Sequence, residues 1–380
     1  MIKKSVITQT TMRIKKLSFE NRNTGWSIDE IAFNRLTLLV GASGVGKTQI
    51  LRIIMGLQRI ANGSSVNGWA WNIEFEERGS IYRWIGEFSC SLDEVDDDNA
   101  DLSPKNNIVL EQVYVDGKII IDRNTKDIIF NGNKTPKLDL SRSILSLLKE
   151  EEQIKPIFQA WNHLSIMTID DSSTRRVSVS AFLDIVRSNV KDLKNIKNIQ
   201  IPPIEKLYLL YKNKIAEFDT IVNSFKDIFP LVETIDFEIK HINKNDVPLI
   251  RLKERNVSKW ISQGDISSGM FRTLLQIIMV VLAEDGDVIL IDEFENSLGI
   301  NCIDSVADLV INPDADIQFI ITSHHPYIIN NIDYKNWKIV TRDGSKVSVH
   351  TTDELNIGNH SKHDAFIQLI QTDAYKKGIL

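Results

Sequence analysis

The sequence predicts an α/β protein built on a parallel sheet, and three stretches predict it. Leu36-Thr-Leu-Leu-Val40 is an apolar, β-branched run suited to a strand covered on both faces; a glycine-rich turn follows, then residues at helical spacing, Ile50, Leu51, Ile54, Leu57 and Ile60. Asp287-Val-Ile-Leu-Ile-Asp292-Glu293 is a second buried strand, ending in two carboxylates. Ile317-Gln-Phe-Ile-Ile-Thr-Ser-His324 is a third, ending in polar residues. Short apolar runs that end in chemistry-bearing side chains are typical of open α/β sheets, which place ligands at the carboxyl ends of their strands.

Composition narrows the class. The 380 residues suffice for one large domain or two ordinary ones, and 42% hydrophobic with 25% charged residues are globular proportions. The net charge of −6 gives no global attraction to nucleic acid, so only a local basic face could bind it. Two cysteines, Cys90 and Cys302, imply no disulfide framework and suit a reducing cytoplasm. No apolar run approaches the ~20 residues of a membrane span, and Met1-Ile-Lys-Lys-Ser-Val6 lacks the apolar core of a secretion signal. The expectation is a cytoplasmic protein without membrane association.

In chain order, Met12 to Phe19 alternates like a half-buried strand, Asn23-Thr-Gly25 supplies a turn, and Ser27 to Phe33 reads as a second strand. Trp69 to Phe75, Tyr82 to Cys90, Ile108 to Val115 and Lys118 to Asp122 alternate strongly, with Asp116-Gly117 as a hairpin turn, so an antiparallel β subdomain is expected. Trp69, Trp71 and Trp84 read as core or sheet-face residues, and Asp93 to Asp98 as a solvated loop. From Ser141 to Ala160 the pattern turns helical, with a break permitted at Pro156; Ala181 to Val190 and Pro203 to Phe225 read as two further helices. This segment carries Arg187, Lys191, Lys194, Lys197, Lys206, Lys212 and Lys214 against Asp192 and Glu205, either a solvated helical lobe or a surface for nucleic acid or a partner. Ile235 to Lys259 reads as a hairpin turning at Asn243 to Asp246, and beyond His324 follow a strand pair, Trp337 to Val340 and Lys346 to Val349, and a helix around Ala365 to Ile370. The expected organisation is 1–140, P-loop and antiparallel subdomain; 141–230, inserted helical lobe; and 231–380, the remainder of the nucleotide-binding head.

The glycine-rich turn, Gly41-Ala-Ser-Gly-Val-Gly46-Lys47-Thr48, is a phosphate-cradling loop in its confirming context of strand before and helix after. Its glycines allow backbone angles and close approaches that a Cβ forbids. Gly41, Ser43, Gly44, Val45, Gly46, Lys47, Thr48 and Gln49 form the expected cradle for a nucleoside triphosphate, since loop N–H groups and a helix N-terminus attract phosphate oxygens. Lys47 would reach the β- and γ-phosphates, while Thr48 and Asp292 would hold Mg²⁺. Glu293 can accept a proton from an attacking water, and His324 can hydrogen-bond a γ-phosphate. Ser267 or Ser268, before a helix with Leu274, Leu275, Ile278 and Leu282 on one face, can cap its first N–H groups.

The order of these motifs resembles the ABC-type ATPase superfamily, in the branch that holds SMC-type, RecF-like and OLD-family ATPases. The resemblance covers about Met12 to Ile60 and Gln263 to Asn331. Gly41 to Thr48 matches Walker A, and Val288 to Glu293 matches Walker B. Ile266-Ser-Ser268-Gly269-Met270 is similar to the signature Leu-Ser-Gly-Gly-Gln, Asn296 to Gly299 to the D-loop, and His324 to the H-switch. Ser268 replaces the first signature glycine, and Met270 the glutamine. Gln112 does not match a Q-loop in its surroundings. The Ser-Ser-Gly variant resembles most the stand-alone ATPases of prokaryotic anti-phage systems, such as the ATPase subunits of PARIS and Septu.

The resemblance implies an ABC-type P-loop ATPase head, an enzyme turning ATP and water into ADP and phosphate with Mg²⁺. It also implies a head-to-tail dimer or higher homo-oligomer in which Ser268 and Gly269 reach ATP held by a second copy. The segment after His324 is too short for the Toprim nuclease of OLD enzymes, so a nuclease or toxin effector is expected on another chain. A DNA-repair or chromosome-handling ATPase is the alternative; a transporter subunit is disfavoured by the long Trp69 to Lys259 insertion. An ATPase that uses nucleotide only structurally is disfavoured by the joint presence of Lys47, Thr48, Asp292, Glu293 and His324.

Overall fold

The computed structural model describes residues 12–90, 106–167, 190–199, 201–242, 245–313, 315–358 and 362–379. The acidic run Asp93–Asp98, Arg187 and the expected helix from Ala181 lie outside the described residues, Val190 excepted. The described residues cluster into two units. One gathers those of Met1–Ile166, Asp285–Phe294 and Asp316–Leu380; the other those of Met167–Glu284 and Glu295–Ala315.

The first unit is built on one sheet. Its strands are β1 (Arg13–Asn21), β2 (Trp26–Ala32), β3 (Leu36–Val40), β4 (Trp69–Glu77), β5 (Ser80–Phe88), β6 (Ile108–Val115), β7 (Lys118–Asn124), β8 (Ile128–Phe130), β9 (Asn133–Lys134) and β10 (Leu164–Met167). After the second unit's β11 (Val232–Ile242), β12 (Asn245–Glu254) and β13 (Ile261–Ser262), the sheet resumes with β14 (Val288–Ile291), β15 (Gln318–Thr322), β16 (Trp337–Asp343) and β17 (Lys346–Thr351). The order is β10-β14-β15-β3-β16-β17-β2-β1-β4-β5-β6-β7-β8-β9. β14, β15, β3 and β16 run parallel, and β1, β2 and β4 to β9 form an antiparallel arm. The α/β expectation, with its antiparallel start and hairpins, is met. β8, β9 and β10 are too short to have stood out by periodicity.

Burial explains the division. Every residue of β14 and β15 is buried, as are four of five in β3, because a parallel strand is covered on both faces. The helix Lys47–Ala61 presses Ile50, Leu51, Ile54, Leu57 and Ile60 into the core. β4 and β5 alternate, and their inward rings meet Trp161 of the helix Lys155–Asn162; the Trp84 and Phe75 centroids each lie 5.6 Å from it. Trp71 and Trp84 are core residues as expected, whereas Trp69 is half-buried on a sheet face, edge-on to Phe19 at 4.9 Å.

A buried charge pair ties the arm to the chain that leaves it. Arg123 reaches Glu111 at 3.3 Å and donates to the carbonyls of Arg142, Leu140 and Asp139 at 2.7, 2.8 and 3.2 Å. Glu111 also accepts from Ser143 Oγ, Trp84 Nε1 and the Ile144 amide. Burial raises the Glu111 pKa, against the opposing pull of the Ser143 hydroxyl and Arg123. Pro156 sits in the first turn of Lys155–Asn162, where its missing N–H costs nothing, so the expected break separates two short helices, Ile144–Leu147 and Lys155–Asn162.

In the second unit, β11 and β12 form a long hairpin edged by β13, with the helices Leu193–Asn198, Pro203–Asn213, Glu217–Ile228, Ser268–Leu282 and Ile300–Ile311. The single helix expected from Pro203 to Phe225 is two. Lys214 takes φ 56°, and the Ile215 N–H closes back on the Leu210 carbonyl at 3.0 Å, a left-handed cap that ends the first helix.

Candidate functional site

The P-loop lies between β3 and the helix Lys47–Ala61. Gly41 has φ 144°, and a Cβ built there would stand 2.4 Å from the Val340 carbonyl oxygen, so only glycine lets β16 close over the loop. Gly46, at φ 108°, precedes the helix with no side chain capping it, and an uncapped helix N-terminus of this kind suits an anion. Lys47 is buried, and its ammonium donates to the carbonyls of Gly41 and Ala42 at 2.9 and 2.8 Å.

The ends of β14 and β15 meet this loop. Thr48 Oγ1 donates to Asp292 Oδ1 at 3.0 Å, and Thr322 Oγ1 donates to the same oxygen at 2.7 Å. The Glu293 amide donates to Thr322 Oγ1 at 2.7 Å. Thr48, Asp292, Thr322 and Glu293 thus form one hydrogen-bonded chain. Glu293 takes φ 44°, a left-handed conformation costing roughly 1–2 kcal/mol outside glycine. Such strain persists where surrounding contacts impose it, as at functional sites.

These residues line a cavity of about 620 Å³. Of the expected residues, Ser43, Gly44, Gly46, Lys47, Thr48, Gln49, Glu293 and His324 border it; Asp292 joins through Thr48. Gly41 and Val45 lie behind the loop, and Val45 is buried. The neighbouring His325 plays a different part: its Nδ1 accepts from the Tyr327 amide and caps the helix Pro326–Asn331. Gln112 is engaged with Asp122 and Tyr114 on the antiparallel arm and does not border the cavity. Sequence reasoning missed Thr322, Trp26, Phe19, Thr24 and Arg342, which do border it. Thr322 had a signal, a hydroxyl at a strand end two residues before His324. Trp26, Phe19 and Arg342 come from strands whose neighbours only the sheet order reveals, and Thr24 from the turn between β1 and β2.

The chemical fit to a magnesium nucleotide is good. Among the described residues no cluster of three or more His, Cys, Asp or Glu side chains could hold a metal alone. Mg²⁺ needs no such cage, since it binds through one or two protein oxygens with phosphates and water. The adjacent Thr48 hydroxyl and Asp292 carboxylate offer that donor set.

The signature residues belong to the second unit. Ser267, rather than Ser268, caps the helix Ser268–Leu282, accepting from the Met270 amide at 3.2 Å. Ser268 is exposed. A Cβ at Gly269 would stand 2.6 Å from the Ser297 carbonyl oxygen, so Gly269 packs against the segment 296–299, where Ser297 takes φ 62°.

Residues 36–330 match the family model described as "AAA domain, putative AbiEii toxin, Type IV TA system". The chain belongs to this family. It is a P-loop ATPase of the AAA-domain type. Among solved structures, the chain is similar to an SMC head bound to the C-terminal winged-helix domain of ScpA: TM-score 0.48, 14% identity, covering 89% of this chain and 97% of that one. It is similar also to the SMC head domain from Thermotoga maritima: TM-score 0.42, 13% identity, covering 89% and 98%. No curated protein matches the chain significantly. Among the described residues of this AAA-domain protein, no helix is long and apolar enough to cross a membrane.

Proposed function

We propose that the chain binds ATP with Mg²⁺ and hydrolyses it, and that this cycle regulates a separate effector in bacterial anti-phage defence. The observation that carries the reading is the hydrogen-bonded chain from Thr48 through Asp292 and Thr322 to Glu293, set in one cavity with Lys47 and His324. In this reading Lys47 gives its ammonium to the phosphates in place of the Gly41 and Ala42 carbonyls. Thr48 and Asp292 would hold Mg²⁺, which when bound neutralises charge on the phosphate oxygens. Glu293 accepts a proton from the attacking water; its amide bond to Thr322 fixes where that carboxylate starts. His324 donates to the terminal phosphate.

Ser268 and Gly269, exposed or half-exposed on their own unit, complete the cage of a second copy in a head-to-tail pair or higher homo-oligomer. The family's printed description, which names a toxin and a toxin–antitoxin system, supports defence as the setting, with a nuclease or toxin as effector. The segment 141–230 is its sensor or dock, in a three-part organisation of 1–140, 141–230 and 231–380. The DNA-handling alternative draws less support: Lys197 pairs with Glu284, and Lys206 donates to the Lys197 carbonyl, so part of the basic face is engaged.

The test is Glu293→Gln. Turnover should fall about 100- to 10,000-fold while Mg-ATP binding persists, since only the base is lost. Hydrolysis at the wild-type rate would remove Glu293 from the mechanism.

A further inference from the structure

We infer that Arg342 is a nucleotide-binding residue that takes the α-phosphate, supplied by the strand beyond the histidine-bearing one. The inference rests on the ATP reading above and goes beyond its motifs. Arg342 lies near the end of β16, borders the same cavity as Lys47 and Thr48, and is exposed there. Its Nη1 donates to the Gly44 carbonyl at the tip of the P-loop at 3.3 Å, and its Nε to the Gly344 carbonyl at 2.6 Å. No described carboxylate forms an ion pair with it, whereas Arg13, Arg22, Arg123 and Arg251 each have one. A guanidinium has five N–H donors in a planar fork suited to phosphate. One held by two neutral carbonyls at the rim of an anion cradle is placed to exchange one of them for a phosphate oxygen.

Sheet order decides which phosphate. β14, β15, β3 and β16 are neighbours in that order, and all four are parallel, so their carboxyl ends share one edge. Along that edge come Asp292 and Glu293 after β14, His324 after β15, the P-loop after β3, and Arg342 on β16. Next come Ser345, in the turn to β17, and Trp26, at the start of β2, paired parallel to β17. The groups suited to water activation and the terminal phosphate all lie on one side of the P-loop. Arg342 lies on the other, toward the aromatic end formed by Trp26 and Phe19, whose ring centroids are 6.1 Å apart. A nucleotide laid along this edge with its terminal phosphate at Glu293 brings its α-phosphate and ribose to Arg342. The backbone there is braced: the Arg342 amide donates to the Gly378 carbonyl at 2.7 Å, and Gly378 packs on Ala42 and Val45 of the loop.

The experiment is calorimetric titration of Mg-ATP, Mg-ADP and pyrophosphate into the wild-type chain, Arg342→Ala and Arg342→Lys, with thermal unfolding to confirm that each variant is folded. For Arg342→Ala, ATP and ADP affinities should fall together by about tenfold, with their ratio unchanged and pyrophosphate binding intact. Arg342→Lys should recover part of the loss, since it keeps the charge but not the fork. Loss of ATP affinity alone would move the contact to the γ-phosphate and overturn the assignment. An equal loss for pyrophosphate would reduce Arg342 to a prop for Gly44, and unchanged affinities would dismiss it. A folded wild-type chain that binds neither nucleotide would overturn the ATP reading and this one together; the other failures strike this one alone.

Discussion

The P-loop unit and the signature unit differ in where their functional side chains find partners. In the P-loop unit, buried charges are held within the fold: Lys47 by the loop carbonyls, Asp292 by two threonine hydroxyls from other elements, and Arg123 on the antiparallel arm by a carboxylate and three carbonyls. In the signature unit, Ser268 is exposed, and buried Glu205 keeps an oxygen without a hydrogen-bond partner among the described residues, as Arg123 keeps its Nε in the P-loop unit. The contrast separates two kinds of site. A preorganised phosphate cradle is finished within one unit, because its donors are held by backbone and short hydrogen bonds. In the proposed reading the signature-like residues act only on a nucleotide held by a second copy.

The largest test of this contrast is Lys47→Ala. It removes the buried ammonium that the loop is built to aim, and Mg-ATP affinity should fall about 100-fold or more in a binding titration, with the fold kept. Retained tight binding would mean that backbone amides alone hold the nucleotide. Next is Arg123→Met, which leaves Glu111 buried without its cation. A cost of roughly 3–5 kcal/mol in urea unfolding is expected, and a loss under 1 kcal/mol would show that Ser143, Trp84 and the Ile144 amide suffice for that carboxylate. In the other unit, Gly269→Ala forces the Ser297 carbonyl to move, at a cost of about 1–3 kcal/mol. Turnover should drop while Mg-ATP affinity of the single chain stays, because its own cradle is untouched and Gly269, in the proposed reading, reaches only the nucleotide of a second copy. An affinity change of tenfold would erase the separation drawn between the units.

How much could be read before folding follows the same line. Strand, loop and helix around Gly41 to Thr48 were legible because local spacing encodes them, and so was the strand ending in Asp292 and Glu293. Trp26 and Arg342 were not. Each reaches the cavity through strand neighbours, β17 beside β2 and β16 beside β3, that no local pattern states. The break at Lys214 was missed for another reason: a left-handed lysine has no composition signal, since Gly or Asn would ordinarily mark it. Of the three tryptophans assigned to core or sheet face, Trp69 also borders the cavity; it lies at the start of β4, opposite Asn21 of β1, which borders the cavity too.

The smallest effect is the most diagnostic of the second unit. Glu205 sits in the first turn of the helix Pro203–Asn213, where the helix N-terminus favours a carboxylate by about 0.3–1 kcal/mol. Burial outweighs this and pushes its pKa from 4.5 up to about 7. The sign follows from which state holds the proton more tightly. Below about pH 4.5 both folded and unfolded chains are protonated at this site, and it costs nothing. Between 4.5 and 7 the unfolded chain releases its proton while the folded chain keeps it, so stability is lost as pH rises, until the loss levels off above 7. Glu205→Gln removes the titration and keeps the shape. Its stability advantage should be near zero at pH 4.5 and reach the order of 2 kcal/mol at pH 8, measured by urea unfolding across that window. A constant difference at all pH values would mean that Glu205 ionises as freely as an exposed carboxylate.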